Sequence, residues 1–433
     1  MSDKLYAGIA RQDITPKIGA RLYGYLPDIY SESINDHLTL TAFVFKQKER
    51  KVLMISISAC LLKTELANEL RNEISANYGI DYNNIIISTT HTHTGPCIAE
   101  IKGWGDVDME YYNGILKPAL FKSVYNADKN LQPVKVSVSS GKSKVGINRR
   151  ELKLNNTIKL GQCRWGTYNP EMTVLSFKNE KNEIIGNIIH YGCHGTAAGK
   201  IKVISRDWMG VMTDALEKET GAITAFFNGP EGDVGPRLSN GGTVGNEIKY
   251  VHELGEIAAG DAISIFKKHG IYEDVNLLVK TNEFQLPLKP RIPYDEAVKG
   301  IKNFNGNKAN INFKIYEHNK TIKESYDNDY EERDFKKIEQ TIIKIGEVVF
   351  VSFPYELFSE IGMRINDAIK GLRVLSLSNA NGSEGYFPTQ DQICRGGYEI
   401  EMFQHSDVQC FTDDADFHIV EETLRNLEEF LYE

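Results

Sequence analysis

Ile85-Ile86-Ile87-Ser88-Thr89-Thr90-His91-Thr92-His93-Thr94-Gly95-Pro96 joins an apolar, β-branched run to a histidine pair and a turn. The isoleucines predict a buried strand, and Gly95-Pro96 predicts the turn that ends it. His91 and His93 therefore stand where a strand emerges into a loop. In α/β sheets that is where ligands and catalytic groups are presented. One imidazole there can hold a metal while the other works on substrate. The plainer alternative is a strand-end pair that only hydrogen-bonds.

Working outward, residues 40–45 and 52–57 read as strands, 62–78 as an amphipathic helix and 84–90 as the next strand. That order is β-α-β, with a right-handed crossover expected. Further helices are expected at 111–126, 208–220, 247–269, 355–369 and 418–432. Strands are expected at 134–143, 172–177, 184–191, 223–227, 341–352 and 374–377, and 275–288 reads as extended. A stretch near 303–330, rich in Asn, Lys and Tyr, reads as a polar excursion or surface helix pair outside the core. The pattern predicts an α/β fold with a mixed sheet core flanked by helices, forming one body over residues 1–433.

A net charge of -9 with no Lys/Arg block argues against a nucleic-acid partner. The opening residues lack an apolar h-region, and no run approaches membrane-spanning length. The expectation is a cytoplasmic protein without stable membrane insertion, acting on a small molecule, with homo-oligomerisation left open. Cys60, Cys97, Cys163, Cys193, Cys394 and Cys410 are scattered, which suggests neither a disulfide framework nor a zinc-finger site. Cys97 and Cys193, near the candidate histidines, read as small packing residues.

Three more segments repeat the form of a strand ending in a polar loop: 187–196 with His190 and His194, 351–356 with Glu356, and 377–388 with Tyr386. Two histidines, a glutamate and one further oxygen donor suit Zn²⁺. Bland readings stand beside this one. His190 fits a satisfied core residue, Glu356 a helix first-turn acid stabilised by the dipole, and Tyr386 packing. The loop 227–237 brackets Glu231 and Asp233 with glycines and prolines, either a ligand-approach loop or a tight acidic turn.

Taken in order, these segments resemble the catalytic domain of neutral ceramidases. Ala10-Arg11-Gln12-Asp13-Ile14-Thr15-Pro16 resembles the family's opening, and Thr90-His91-Thr92-His93-Thr94-Gly95-Pro96 is similar to its "THTHSGP". Ile147-Asn148-Arg149-Arg150, Cys193-His194-Gly195-Thr196, Ile204-Ser205-Arg206-Asp207, Pro354-Tyr355-Glu356 and Gly385-Tyr386-Phe387-Pro388-Thr389 follow in the family's order. The resemblance implies one Zn²⁺ per chain held by His91, His194, Glu356 and Tyr386. It also implies His93 and Arg149 facing the substrate carbonyl, with Asp233 beside them in the catalytic group. Arg150, Asp207, Gly235, Arg237 and Tyr398 are expected to face substrate.

Two departures matter. The family carries a serine in a "GDxSP" loop that takes part in amide cleavage, whereas this chain reads Gly232-Asp233-Val234-Gly235-Pro236. Glycine supplies no hydroxyl, so the expected chemistry shifts to metal-activated water with His93 as acid/base and Arg149 as oxyanion partner. The family also continues into an immunoglobulin-like domain and is typically exported, neither of which is expected here. Arg206, Arg237 and Arg395, added to Arg149 and Arg150, suggest an anionic substrate if they converge, or surface pairs with nearby acids if they do not. The expectation is a zinc-dependent hydrolase cleaving an amide of a small polar or anionic substrate. The alternatives are an ester or cyclic-amide hydrolase on the same site, a ceramide amidohydrolase, or a non-catalytic metal-stabilised binding protein.

Overall fold

The computed structural model describes residues 4–25, 29–100, 105–307, 311–328 and 330–432. The first three residues of the opening, and positions 308–310 and 329 of the excursion, lie outside the described residues.

Ile85, Ile86 and Ile87 are all fully buried because their strand is covered on both faces. Ile85 and Ile87 pack with helix residues Leu66, Leu70 and Val124, while Ile86 points the other way onto Phe350 and Leu377 of a second sheet. The first sheet has eight strands: β1 (Tyr6–Asp13), β2 (Thr39–Gln47), β3 (Arg50–Ile57), β4 (Ile85–Thr89), β5 (Gln132–Lys142), β6 (Glu171–Asn179), β7 (Ile184–Tyr191) and β8 (Ile223–Asn228). Their order is β8-β7-β6-β5-β1-β2-β3-β4. The second sheet runs in chain order: β9 (Leu277–Pro287), β10 (Phe335–Ile345), β11 (Val348–Ser352) and β12 (Arg373–Leu377).

Helices α1 (Thr64–Tyr78) and α2 (Lys117–Lys129) cover one half of the large sheet. Helices α3 (Asp207–Thr220) and α4 (Lys249–Phe266) cover the other half. Beyond the second sheet lie α5 (Tyr294–Lys302), α6 (Ile311–Asp327), α7 (Ser359–Ala368), α8 (Tyr398–Gln404) and α9 (Ala415–Tyr432). The inner faces of the two sheets share a core of Phe43, Phe45, Phe177 and Phe227 against Leu277, Ile343 and Phe350. The layers are therefore helix, sheet, sheet, helix, the mixed α/β architecture expected from the sequence.

Within these two sheets three pairs are parallel, namely β3 with β4, β7 with β8 and β11 with β12. Each pair is joined through a helix: α1, α3 and α7 respectively. Parallel partners require such crossovers, and their carboxyl ends form a crevice where ligands bind. The loops that carry His91, His194, Glu231, Glu356 and Tyr386 follow strands of these pairs, and the segment of Arg149 and Arg150 follows β5. The large sheet also curls, so that Ser56 on β3 donates to the Phe226 carbonyl on β8 at 2.6 Å. The free edge of β4 is bridged by the loop after β12, where Asn381 accepts from the Ile87 amide at 2.8 Å.

Two expectations are corrected. Residues 355–369 do not begin as helix, because Glu356–Leu357 forms a short strand paired with Tyr386–Phe387 and α7 starts only at Ser359. The described part of the 303–330 excursion holds one helix, α6, paired with α5 just before it, and α6 buries Lys314, His318, Asn319 and Ile322, so it is not a surface feature alone. Among the described residues, no helix is long and apolar enough to cross a membrane.

Candidate metal centre and active site

His91 sits at φ +64, a left-handed conformation that a bulky side chain rarely adopts. The turn is held by its amide, which donates to the Ala59 carbonyl at 2.9 Å. It aims the ring inward, where Nδ1 bonds the Cys60 carbonyl at 3.0 Å. His194, leaving β7, bonds through Nδ1 to the carbonyls of Glu231 (2.9 Å) and Val234 (3.0 Å). A carbonyl accepts only, so both Nδ1 atoms carry protons and both Nε2 atoms present lone pairs. This outer-shell arrangement is the one that orients metal-ligating histidines.

The two Nε2 atoms converge on Glu356 Oε2, at 3.4 Å from His91 and 3.2 Å from His194. Tyr386 completes the group with its hydroxyl 3.3 Å from His194 Nε2. Glu356 Oε2 is buried and receives no hydrogen bond among the described residues. Burial opposes ionisation of Glu356, yet positive charge at His91 holds its carboxyl well below the usual carboxylate range, a charge that a bound cation would supply in place of the imidazole proton. Burial followed by the Arg149 charge pushes His194 down to about 3, which keeps it neutral. Lone-pair donors around an orphaned carboxylate oxygen fit a divalent cation, and two N and two O donors suit zinc-type coordination. A second grouping, Cys60 with His91 and His93, shares His91 but lacks a carboxylate.

His93 faces the same centre, its Nε2 lying 3.3 Å from His91 Nε2. Burial, and then the neighbouring His91 and His194, push its pKa well below the ordinary histidine value. The loop of Gly24 and Tyr25 covers it. The Tyr25 ring lies 4.9 Å from the imidazole centroid, and a Cβ on Gly24 would fall 2.5 Å from His93 Nδ1. Arg149 donates through NH2 to the Tyr386 hydroxyl at 2.9 Å and through Nε to Glu399 at 2.8 Å. Tyr398 packs edge-on to Tyr386 with ring centroids 5.9 Å apart.

The structure thus brings together His91, His93, His194, Glu356, Tyr386, Arg149 and Tyr398, and gives the five other candidates contacts of their own. Asp233 is not aimed at the centre. Its carboxylate accepts from the Ser359 amide (2.7 Å) and from Asn148 (3.1 Å), tying down the start of α7. Asp207 spends its carboxylate on the amides of Ala197, Ala198 and Trp208, bracing the loop after His194. Burial outweighs these bonds and pushes both aspartates up to about 6. Arg150 is locked onto Glu399, which it shares with Arg149. Arg237 is exposed and bonded to Tyr168. Gly235 is enclosed, since a Cβ there would lie 2.7 Å from Thr243 Cβ and 3.3 Å from Arg149 Cβ. The arginines do not converge either, as Arg206 pairs with Asp36 and Asp214 and Arg395 lies half exposed near Asp391.

Several residues of the site carry no clear signal in the sequence. In the 227–237 loop Glu231 is the acid near the histidines, fully buried and bonded to Asn379 at 2.6 Å. Asn379 in turn lies 3.4 Å from His91 Nδ1. Cys60, not Cys97 or Cys193, is the cysteine against His91, at 3.8 Å. Glu399 has only an adjacent Tyr398 to mark it.

A buried cluster of ligand-type residues at the carboxyl ends of parallel strands, backed by an arginine, makes this a candidate metal centre in an α/β fold. The chain belongs to the neutral/alkaline non-lysosomal ceramidase family, whose N-terminal model matches residues 5–253. It is 25% identical over 224 residues to a neutral ceramidase of Oryza sativa subsp. japonica, covering 48% of this chain and 28% of that protein. It is 24% identical over 271 residues to the Pseudomonas aeruginosa neutral ceramidase, covering 57% of this chain and 40% of the relative. The chain spans about a third of the length of the curated relatives it matches. The crystal structure of the Pseudomonas aeruginosa enzyme superposes with a TM-score of 0.76 at 18% identity, covering 100% of this chain and 76% of that one. A ceramidase complexed with C2 gives 0.75 at 17% identity.

Proposed function

We propose that this protein is a zinc-dependent hydrolase that cleaves an amide bond in a small polar substrate. The observation that carries this reading is Glu356 Oε2, buried between the Nε2 atoms of His91 and His194 and without a donor among the described residues. A divalent metal held by His91, His194, Glu356 and Tyr386 would supply Lewis acidity toward a carbonyl or a water molecule. The family and its neutral ceramidase relatives support amide chemistry. Charged side chains in the cavity in front of Glu356, Lys63, Glu100, Lys314, Glu384 and Asp407, set among the apolar Leu61, Ala99, Met402 and Val408, support a substrate that carries a polar group.

The residues divide the work by geometry. His93 is held neutral and faces the centre, so its Nε2 is placed to take a proton from the attacking water and return it to the leaving nitrogen. Arg149 keeps its charge, since Tyr386 and Glu399 more than offset the cost of burial, and it stands beside the oxygen that gains negative charge. With Gly235 supplying no hydroxyl, no side chain of that loop acts as nucleophile. Tyr25 and Gly24 limit water around His93.

Metal content and turnover separate these roles. His93→Ala should keep about one equivalent of zinc while kcat falls by about 10²- to 10⁴-fold. His194→Ala and Glu356→Gln should lose the metal by elemental analysis. Full metal occupancy in both of the latter variants would overturn the site, and full activity in His93→Ala would overturn its role.

A further inference from the structure

The cavity of about 360 Å³ that opens onto Glu356 mixes apolar side chains with charged ones, and nearly all the charged ones are paired. Glu100 is held by Lys63 at 2.8 Å. Glu384 and Asp407 are both held by Lys336, at 2.6 and 3.3 Å. Lys314 is the exception. It stands on α6, is only 9% exposed, lines the cavity, and has no ion-pair or hydrogen-bond partner among the described residues. A buried ammonium ordinarily has a counter-charge within reach, because desolvation of a lone ion is costly. Desolvation pulls Lys314 down to about 8, and among the described residues Glu356, which is committed to the ligand cluster, is the one group that raises it. Its lysine nature also fits a point contact to an anion.

We infer that Lys314 is the anchor for a carboxylate on the substrate, so that the protein acts on amides bearing an anionic group, such as N-acyl amino acids. The inference rests on the amide-hydrolase reading of the neighbouring centre. It replaces the arginines singled out in the sequence, which are engaged elsewhere, with a lysine from the polar excursion. Bound this way, one end of the substrate neutralises Lys314 while its amide lies toward Glu356 and the centre.

The test uses the zinc-loaded protein with a panel of N-acetyl amino acids and the same compounds capped as C-terminal amides. Turnover of the free carboxylates should exceed that of the capped forms. Lys314→Gln should weaken kcat/KM for the carboxylates by about 10- to 100-fold, mainly through KM, and leave the capped forms within about twofold. Lys314→Arg, which keeps the charge, should retain the preference and guards against a folding defect. Equal rates on both sets, or a Lys314→Gln variant that treats them as the wild type does, would overturn the inference. Calorimetric binding of the same N-acetyl amino acids separates this from failure of the hydrolase reading. Binding that weakens in Lys314→Gln supports the anchor even without turnover. Binding that is absent, or that ignores the substitution, overturns it even where amides are cleaved.

Discussion

Thr243 stands where a side chain at position 235 would go. Its Cβ lies 2.7 Å from the place a Cβ on Gly235 would occupy, and Thr243 is 3% exposed, so it has little room to move. Restoring a serine there therefore meets a steric barrier before any chemistry. Gly235→Ser should destabilise the fold by about 1–3 kcal/mol, the usual cost of overpacking a filled interior. Pairing it with Thr243→Ala should recover most of that loss. Urea unfolding of the single and double variants reads this directly, and a single variant as stable as the wild type would contradict it. At this scale the sequence shows His91, His93 and His194 well, because each follows an apolar strand. It does not show Glu231, Asn379, Glu399 or Lys314, whose roles depend on partners far away in the chain. Glu399, for example, meets Arg149 across 250 positions. Asp233 misled for the related reason that an acid in a glycine-rich loop looks the same whether it faces a ligand or ties down a helix start.

The elements that build the site are the three parallel strand pairs and the helices that join them. Their strands were legible because Val, Ile and Phe fill both faces, as in β4, where Ile85, Ile86 and Ile87 are each completely buried. The start of α7 was not legible. Leu357 and Phe358 continue an apolar pattern compatible with a helix, and only pairing with Tyr386–Phe387 holds 356–357 extended. His190 on β7 belongs to this scale, since it joins the two sheets by bonding the Ser376 carbonyl of β12 at 2.9 Å. Burial lowers its pKa to about 4. The unfolded chain, with histidine near 6.5, binds that proton first, so between these values the unfolded state carries more protons. Stability from His190 is thus full above about pH 6.5 and is lost as pH falls toward 4, by about 3 kcal/mol. Asp207 and Asp233, raised to about 6, act in the opposite sense, losing stability as pH rises from their unfolded values. The informative quantity is therefore a difference between variants. His190→Gln should flatten the pH 4.5–7.5 stability profile relative to the wild type in denaturant titrations. Parallel profiles would show that His190 does not titrate between those limits.

Across the whole molecule, the ligand set is divided between the two sheets. His91 and His194 leave β4 and β7 of the large sheet, whereas Glu356 and Tyr386 follow β11 and β12 of the small one. The sheets share an apolar interface, but at this end they meet through lone pairs, with Glu356 Oε2 facing two Nε2 atoms. Without a cation that convergence is unfavourable, and with one it becomes a cross-link between layers. Metal should therefore stabilise the junction more than either sheet. At about a thousandfold excess over its dissociation constant, a metal that binds only the folded chain adds about 4 kcal/mol. Chelation should lower the unfolding midpoint accordingly, and readdition of zinc should restore it. Hydrogen exchange locates the effect: amides at 91–93, 194–195, 356–357 and 386–387 should lose protection on chelation, while the β9–β10 ladder from Leu277–Ile345 to Pro287–Phe335 should keep its own. A chelated protein with an unchanged midpoint, or with protection lost evenly across both sheets, would mean that the four residues do not bridge the layers through a common ion.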